Sequence, residues 1–377
     1  MRNRNKGRRR IRKPVGFDAR LIGALGIGRY ISGLLPPLST ILQDRLVVIA
    51  RPMDVALVRG LTGGRVSVLA SNARPYRLAE QTSLLLQLAR ARLTLVHFPH
   101  YSLPLLYRPF VATIHDLFPY RFPEIHSGPV PRAVNRLLIR NAVRRAAAVI
   151  TPSDATAGDL AAQFPWAQRK ITAIAEATND RFTAARNQSA EASWQRYFTI
   201  RSPYFLYLGQ WKAYKNVPLL IEAFAQLLTQ RPDCQLVIAG EDPRHPEIPA
   251  AVSRLPAGSV VLPGRLPDDA IPDLYRSATA LVLPSRAEGF GLPVLEAMAC
   301  GVTVVCSDIP ALRELANGVA IFCDPASAAS FTAGMLTALE STTADGRLQR
   351  GIARAGQFSW SRAAEETVAV YERVLSG

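Results

Sequence analysis

The stretch PSRAEGFGLPVLEAMACGVTVV, residues 284–305, decides the fold. It follows an apolar run, Ala280–Leu283, that reads as a strand, and it closes on a second, Thr303–Cys306. Gly289 and Gly291 flank Phe290, so the backbone can turn sharply and approach a ligand closely. Pro293 suits the first turn of a helix, which runs to Ala299 and stops near Gly301. Strand, glycine turn, helix and strand in that order form the repeating unit of a parallel α/β sheet. Glu288 falls on the turn and Glu296 in the first turns of the helix. Carboxylates there can accept hydrogen bonds from sugar and ribose hydroxyls, and amides at a helix start suit phosphate or sugar oxygens.

The same alternation extends in both directions. Further strands are expected at Tyr204–Leu208, Cys234–Ala239, Val260–Leu262 and Val319–Phe322, with helices at Val217–Thr229, Asp268–Arg276 and Ala326–Leu339. In the first half, strands are expected at Leu46–Ala50, Leu93–His97, Phe110–Ile114 and Ala148–Thr151. Helices there are expected at Gly28–Leu35, Glu80–Arg90 and Pro131–Ala147. Ser153 and Asp154 suit an N-cap. Residues 183–195 are polar and aperiodic, and read as a linker between two domains, 14–187 and 196–357. An amphipathic helix, Ser361–Leu375, lies in a closing segment, 358–377, expected to pack back on the first domain. Two doubly wound sheets then present the carboxyl ends of their strands to a cleft lined from both sides.

The chain has 377 residues, right for two such domains, and 49% hydrophobic content excludes a disordered class. Its net charge is +16. Residues 1–195 carry about +18 of this and residues 196–377 about −2. The basic half suggests an anionic partner. Eight of its charges fall within the first 13 residues, read as a disordered basic arm. No run of 18 apolar residues is present, so no transmembrane helix is expected. Cys234, Cys300, Cys306 and Cys323 lack metal-ligand spacing and read as core thiols, in keeping with a cytoplasmic location. No DxD or His/Cys cluster suggests a metal, and no cofactor is expected.

Three further segments carry chemistry. In YLGQWKAYKNVPLLIEAF, residues 207–224, Lys215 sits just ahead of a helix, where an ammonium beside free N–H groups can neutralise a diphosphate. FDARLIGALGIGRYISGLL, residues 17–35, has a Gly-rich turn from Gly23 to Gly28 whose spacing departs from a dinucleotide fingerprint. VATIHDLFPYRFPE, residues 111–124, ends a strand in His115-Asp116, a place from which a histidine can bind a hydroxyl or move a proton. Arg132, Arg136, Arg140 and Arg144 recur every fourth residue and form a basic ridge along one helix, with Leu137, Leu138 and Val143 supplying much of the opposite face.

These segments resemble the family-4 retaining glycosyltransferases of the GT-B fold, in particular the mannosyltransferase-like group of polysaccharide and O-antigen biosynthesis. The E-x7-E segment, the GIGRY wording and the HD-L-x-P context carry the resemblance, which spans the chain from Gly26 to the WSRAAEE helix. It implies that Glu288 and the amides of Phe290, Gly291 and Leu292 address the donor sugar, and that Glu296 binds the nucleotide ribose. It gives Lys215 the diphosphate, with Lys212 standing in for a missing Arg, and sets Arg265 near the nucleobase. Gly26 and Gly28 lie on a loop over the donor diphosphate. His115, Asp116, His97 and His100 are on the acceptor side, with His115, Glu288 and Lys215 in the catalytic set.

The implied reaction moves a hexose, GDP-mannose being the first choice of donor, to a glycan or lipid-linked acceptor, without a metal and with retention. The arginine ridge would then meet an anionic membrane surface on its cytoplasmic side. Another GT-B activity, such as an epimerase or phosphorylase, stays open. So do a non-catalytic sugar-binding scaffold and a basic nucleic-acid-binding protein, although no nucleic-acid motif is present.

Overall fold

A computed structural model describes residues 13–122, 129–340 and 346–376. The basic arm up to Arg12 and Glu124 of the His115 segment lie outside the described residues. The chain divides into two compact units, residues 1–176 with 359–377, and residues 177–358.

The first unit holds seven parallel strands: β1 Val15–Asp18, β2 Leu46–Ala50, β3 Ser67–Ala70, β4 Leu95–Phe98, β5 Phe110–Thr113, β6 Ala148–Thr151 and β7 Ile171–Ala173. Their order is β3-β2-β1-β4-β5-β6-β7. β1, between β2 and β4, was not expected, nor were the edge strands β3 and β7; β1 is four residues long and contains Gly16. A Cβ at Gly16 would lie 2.7 Å from Leu93 and 2.9 Å from Val96, so this strand is short of side chain because its neighbours fill the space. The strand alternation splits the core into two faces. Val15, Phe17, Leu46, Val48 and Leu95 pack under the helices Gly26–Leu42 and Trp360–Ser376. Val96, Phe98, Phe110, Ala112 and Val149 pack on the other side with Ile139 and Val143 of the helix Pro129–Arg145.

The helix Trp360–Ser376 belongs to this unit and is locked in twice. Trp360 occupies the space a side chain at Gly33 would need; a Cβ there would be 2.1 Å from its ring. Tyr371 is fully buried beside His97.

The second unit holds six parallel strands: β8 Tyr204–Leu208, β9 Gln235–Ala239, β10 Val260–Val261, β11 Ala280–Leu283, β12 Thr303–Ser307 and β13 Ile321–Cys323, in the order β10-β9-β8-β11-β12-β13. Both sheets share one winding scheme, so each has a switch point, between β1 and β4 and between β8 and β11, where successive connections leave to opposite sides.

The expected linker is not one. Residues Gln188–Tyr197 form a helix capped by Asn187, whose Oδ1 accepts from the Ala190 N–H at 3.2 Å. Its buried side is polar: Glu191, 3% exposed, pairs with Arg186 and lies 3.6 Å from Arg276. A helix anchored through ion pairs shows no apolar period, which is why the sequence reads as aperiodic. The units divide after Glu176 rather than at residue 187.

Candidate functional site

The second unit's switch point assembles the expected donor residues. β8 is followed by Gly209, and its loop closes in a tight turn in which the Lys215 N–H donates to the Lys212 carbonyl at 2.8 Å. Asn216 follows in the left-handed region, at φ 57°, pinned by its Nδ2 donating to the Pro325 carbonyl, and the helix Val217–Leu228 begins. From β11 the loop Pro284–Gly291 runs to the helix Leu292–Ala299. Gly291, at φ 109°, is the N-cap; a Cβ on it would lie 2.6 Å from Leu312. These two loops bring together Lys215 and Glu288, whose Nζ donates to Oε1 at 2.7 Å and Oε2 at 2.9 Å. Their side chains are 15% and 7% exposed. The ammonium is thus held on a carboxylate that a diphosphate can replace.

Glu296 projects from the following helix, is 2% exposed and accepts from Tyr275 Oη at 3.1 Å. Phe290 packs its ring on Phe358, so only its backbone can serve a donor. Lys212 is half-buried and Arg265 exposed, one residue beyond Gly264.

Several residues here escape sequence reasoning. Gly240 follows β9 and Gly264 lies in the loop after β10, both with positive φ, and a Cβ at Gly240 would be 2.0 Å from the Gly209 carbonyl. Glycines thus stand at three neighbouring strand ends and leave the floor free of side chains. Their signal was present, since each closes an apolar run. Trp211 Nε1 and Ser285 Oγ, on the two switch-point loops, are buried without a hydrogen-bond partner. A buried orphan costs about 1–3 kcal/mol. Tyr275, which orients Glu296, had no sequence signal.

In the first unit, His115 follows β5 at the same strand-end level as the β1–β4 switch point. Its Nδ1 lies 3.1 Å from Glu176 Oε1 and its Nε2 3.1 Å from the Pro99 carbonyl. Both ring nitrogens face acceptors, an arrangement that only the imidazolium satisfies fully. Burial works to lower its pKa; the hydrogen bond and charge of Glu176, then Asp116 and the Pro99 carbonyl, outweigh it and raise the value. Tyr30 meets the ring edge-on. Glu176, 5% exposed, was not singled out from the sequence because it lies 61 residues away. Asp116 is half-buried and its Oδ1 accepts from the Phe118 N–H.

His97 does not line a pocket. It is fully buried, its Nδ1 2.6 Å from Tyr371 Oη and its Nε2 2.7 Å from Thr113 Oγ1. Burial, with His115 nearby, pushes it down to about 3, so it is a neutral core residue. His100 does reach the rim. Gly26 is exposed at the helix start, while Gly28 is buried, where a Cβ would be 2.4 Å from the Ile22 carbonyl.

The arginine ridge is also corrected. Arg136 turns inward: its Nε and Nη2 donate to the Pro119 and Tyr120 carbonyls, and its guanidinium lies over the Tyr120 ring. Arg132 is half-buried, leaving Arg140 and Arg144 exposed. Leu137, expected on the opposite face, is 65% exposed, as is Val134 at 47%. The outer face of this helix is therefore mixed, apolar and basic. Among the described residues no helix is long and apolar enough to cross a membrane.

Known proteins match the chain in family and in fold. Residues 26–181 match the family described as Glycosyltransferase Family 4, and residues 191–356 match Glycosyl transferases group 1. O-antigen chain mannosyltransferase B of Escherichia coli is 29% identical over 282 residues, covering 73% of each chain. Alpha-D-kanosaminyltransferase of Streptomyces kanamyceticus is 27% identical over 288 residues, covering 74% of each. Among solved structures, Anabaena Alr3699/HepE in complex with UDP and glucose superimposes with a TM-score of 0.76 at 18% identity, covering 96% of this chain and all of that one.

Proposed function

Because the chain belongs to the family-4 glycosyltransferases, retaining enzymes of the GT-B fold, we propose that it transfers mannose from GDP-mannose to a hydroxyl of a growing, lipid-linked glycan. The observation that carries the donor half of this reading is the Lys215–Glu288 pair at the switch point, with Glu296 on the next helix. The name of the Escherichia coli relative supports mannose as the sugar.

Donor binding exchanges one anion for another. The diphosphate takes Lys215 from Glu288, and the released carboxylate accepts hydroxyls of the sugar, beside the amides of Phe290, Gly291 and Leu292. Glu296, oriented by Tyr275, takes the ribose. The bond from the anomeric carbon to the diphosphate breaks while the acceptor oxygen bonds to the same face. The acceptor proton passes to the departing phosphate, whose charge Lys215 balances. His115, held between Glu176 and the Pro99 carbonyl with both nitrogens facing acceptors, contributes an electrostatic and hydrogen-bonding role rather than that of a base.

The acceptor's lipid end places the enzyme at the cytoplasmic face of a membrane in this proposal. The exposed Val134 and Leu137 beside Arg140 and Arg144 support that part of the reading, since such a face suits anionic headgroups.

A thermal-shift screen against GDP-, UDP- and dTDP-sugars tests the donor assignment. GDP-mannose should stabilise the protein, by about 2.7 kcal/mol at a hundredfold excess over Kd. Glu296→Ala should abolish the shift. A shift that survives this substitution sinks the ribose assignment, and a response to UDP-sugars alone sinks the base.

A further inference from the structure

Beside His115 the first unit carries a second construction that the donor chemistry does not use. Arg20, just past β1, is 1% exposed. Its Nε and Nη2 donate to Asp18, Nη2 also to Glu80 Oε1 at 2.7 Å, and Nη1 to the Ala73 carbonyl at 2.8 Å. Glu80 Oε2 accepts from Ser102 Oγ at 2.7 Å and from the Tyr76 N–H at 3.3 Å. This one buried network ties together the loops that follow β1, β3 and β4.

Buried ion pairs seldom raise stability above that of an apolar core of equal volume. What this network yields is a fixed geometry at Tyr76. That residue is held in the left-handed region, φ 62°, where a bulky side chain is strained. Its ring is 49% exposed. His100 and Tyr101 lie beside it, their rings tilted by 30° with centroids 4.0 Å apart, and the Tyr76 ring is edge-on to them at 5.5 and 6.2 Å. His100 Nδ1 accepts from the Ser102 N–H at 3.0 Å, so its proton sits on Nε2, 3.1 Å from Tyr76 Oη. Burial, with His115 and Arg20 nearby, pushes His100 down to about 3 and keeps it neutral.

We propose that Tyr76, His100 and Tyr101 form a subsite that holds an uncharged pyranose of the acceptor, with its apolar face on the Tyr76 ring and a hydroxyl on Tyr76 Oη, which the His100 Nε2–H holds in place. The proposal rests on the transferase reading and names the class of acceptor for it. A pyranose offers C–H groups on one face and hydroxyls around its edge, which matches the exposed Tyr76 ring with its neutral hydroxyl, backed by the half-buried His100 and Tyr101. A phosphorylated sugar fits poorly. The buried cations on this rim are already matched, Arg20 by Asp18 and Glu80, and His115 by Glu176. Asp116 adds a carboxylate that acts on both tyrosines. Arg74 and Arg77, on the loop that carries Tyr76, are exposed, and the phosphate ester in the test below weighs any pull they exert.

Saturation-transfer NMR on the full chain tests this with methyl α-glycosides of mannose, glucose and galactose, and with mannose 6-phosphate. At least one neutral glycoside should bind, and more tightly than the phosphate ester. Tyr76→Gly keeps the left-handed backbone without strain and should weaken that binding about tenfold. Tyr76→Phe should stay within about threefold, and Tyr101→Leu should weaken binding independently. Binding by none of the neutral glycosides, tighter binding of mannose 6-phosphate, or unchanged affinity in Tyr76→Gly overturns the proposal. The donor thermal shift, measured on the same samples, separates the two readings. If the donor shift is present and sugar binding ignores Tyr76, only the subsite falls; if the wild type shows no donor shift, the transferase reading falls.

Discussion

At the scale of single residues, the decisive feature of the first unit is that His115 has both nitrogens occupied. Its charge is stabilised by Glu176 Oε1, by Asp116 and by the Pro99 carbonyl; Tyr30 covers it, and the neighbouring His97 and His100 are neutral. Because its folded pKa is raised, the pair's stabilisation is complete below the unfolded value of about 6.5 and is lost as pH rises through the folded value. Glu176→Gln should therefore move both the NMR titration of His115 and the alkaline limb of the transfer rate to lower pH. An unmoved titration would show that the carboxylate does not hold the charge. The sequence made His115 legible through its strand-end context but could not reveal Glu176, because partners 61 residues apart meet only through sheet order. His97 misled for a related reason. A histidine ending a strand looks the same whether it points to a cleft or, as here, to a buried tyrosine.

At the scale of elements, the glycine turn ahead of Leu292–Ala299 was readable in full, since its spacing reflects a local backbone need. Gly291 has φ 109° and no room beside Leu312. Gly291→Ala should cost about 1–3 kcal/mol in urea unfolding and weaken donor binding, because the turn sets where Glu288 stands. A variant as stable and as tight as wild type would show that the turn tolerates a side chain. The inner parallel strands were mostly legible as apolar runs because both faces are buried. β1 was not, being four residues with a glycine, and neither were the edge strands β3 and β7, which are partly exposed.

The helix Pro129–Arg145 shows the limit of periodicity: spacing put four arginines in one row, yet Arg136 turns in to carbonyls that only the fold supplies. Its exposed Leu137, Arg140 and Arg144 should mediate binding to vesicles containing phosphatidylglycerol. The double variant Arg140→Ala/Arg144→Ala should weaken that binding about tenfold or more at low salt. Equal binding by the double variant would remove this face from consideration.

At the scale of the whole molecule, the charge asymmetry read from the sequence coincides with the two units: the Lys215–Glu288 pair lies in the nearly neutral unit, and the basic helix in the other. The first unit also depends on residues from the far end of the chain. Tyr371 fills its core and bonds His97. Tyr371→Ala should cost about 3–5 kcal/mol and also leave His97 without its Nδ1 partner. Urea unfolding should register that loss, while the thermal shift given by the nucleotide sugar persists, since its residues lie in the second unit. Loss of both together would mean that the units do not respond separately.

The seat of Trp360 against Gly33 has a consequence for biosynthesis. The ribosome makes residues 1–176 first, yet their apolar helix face stays uncovered until residues 360–376 emerge, after every residue of the second unit. The first unit is begun before the second and completed only after it, and the nascent polypeptide must keep its open face from aggregating while all of residues 177–358 are made.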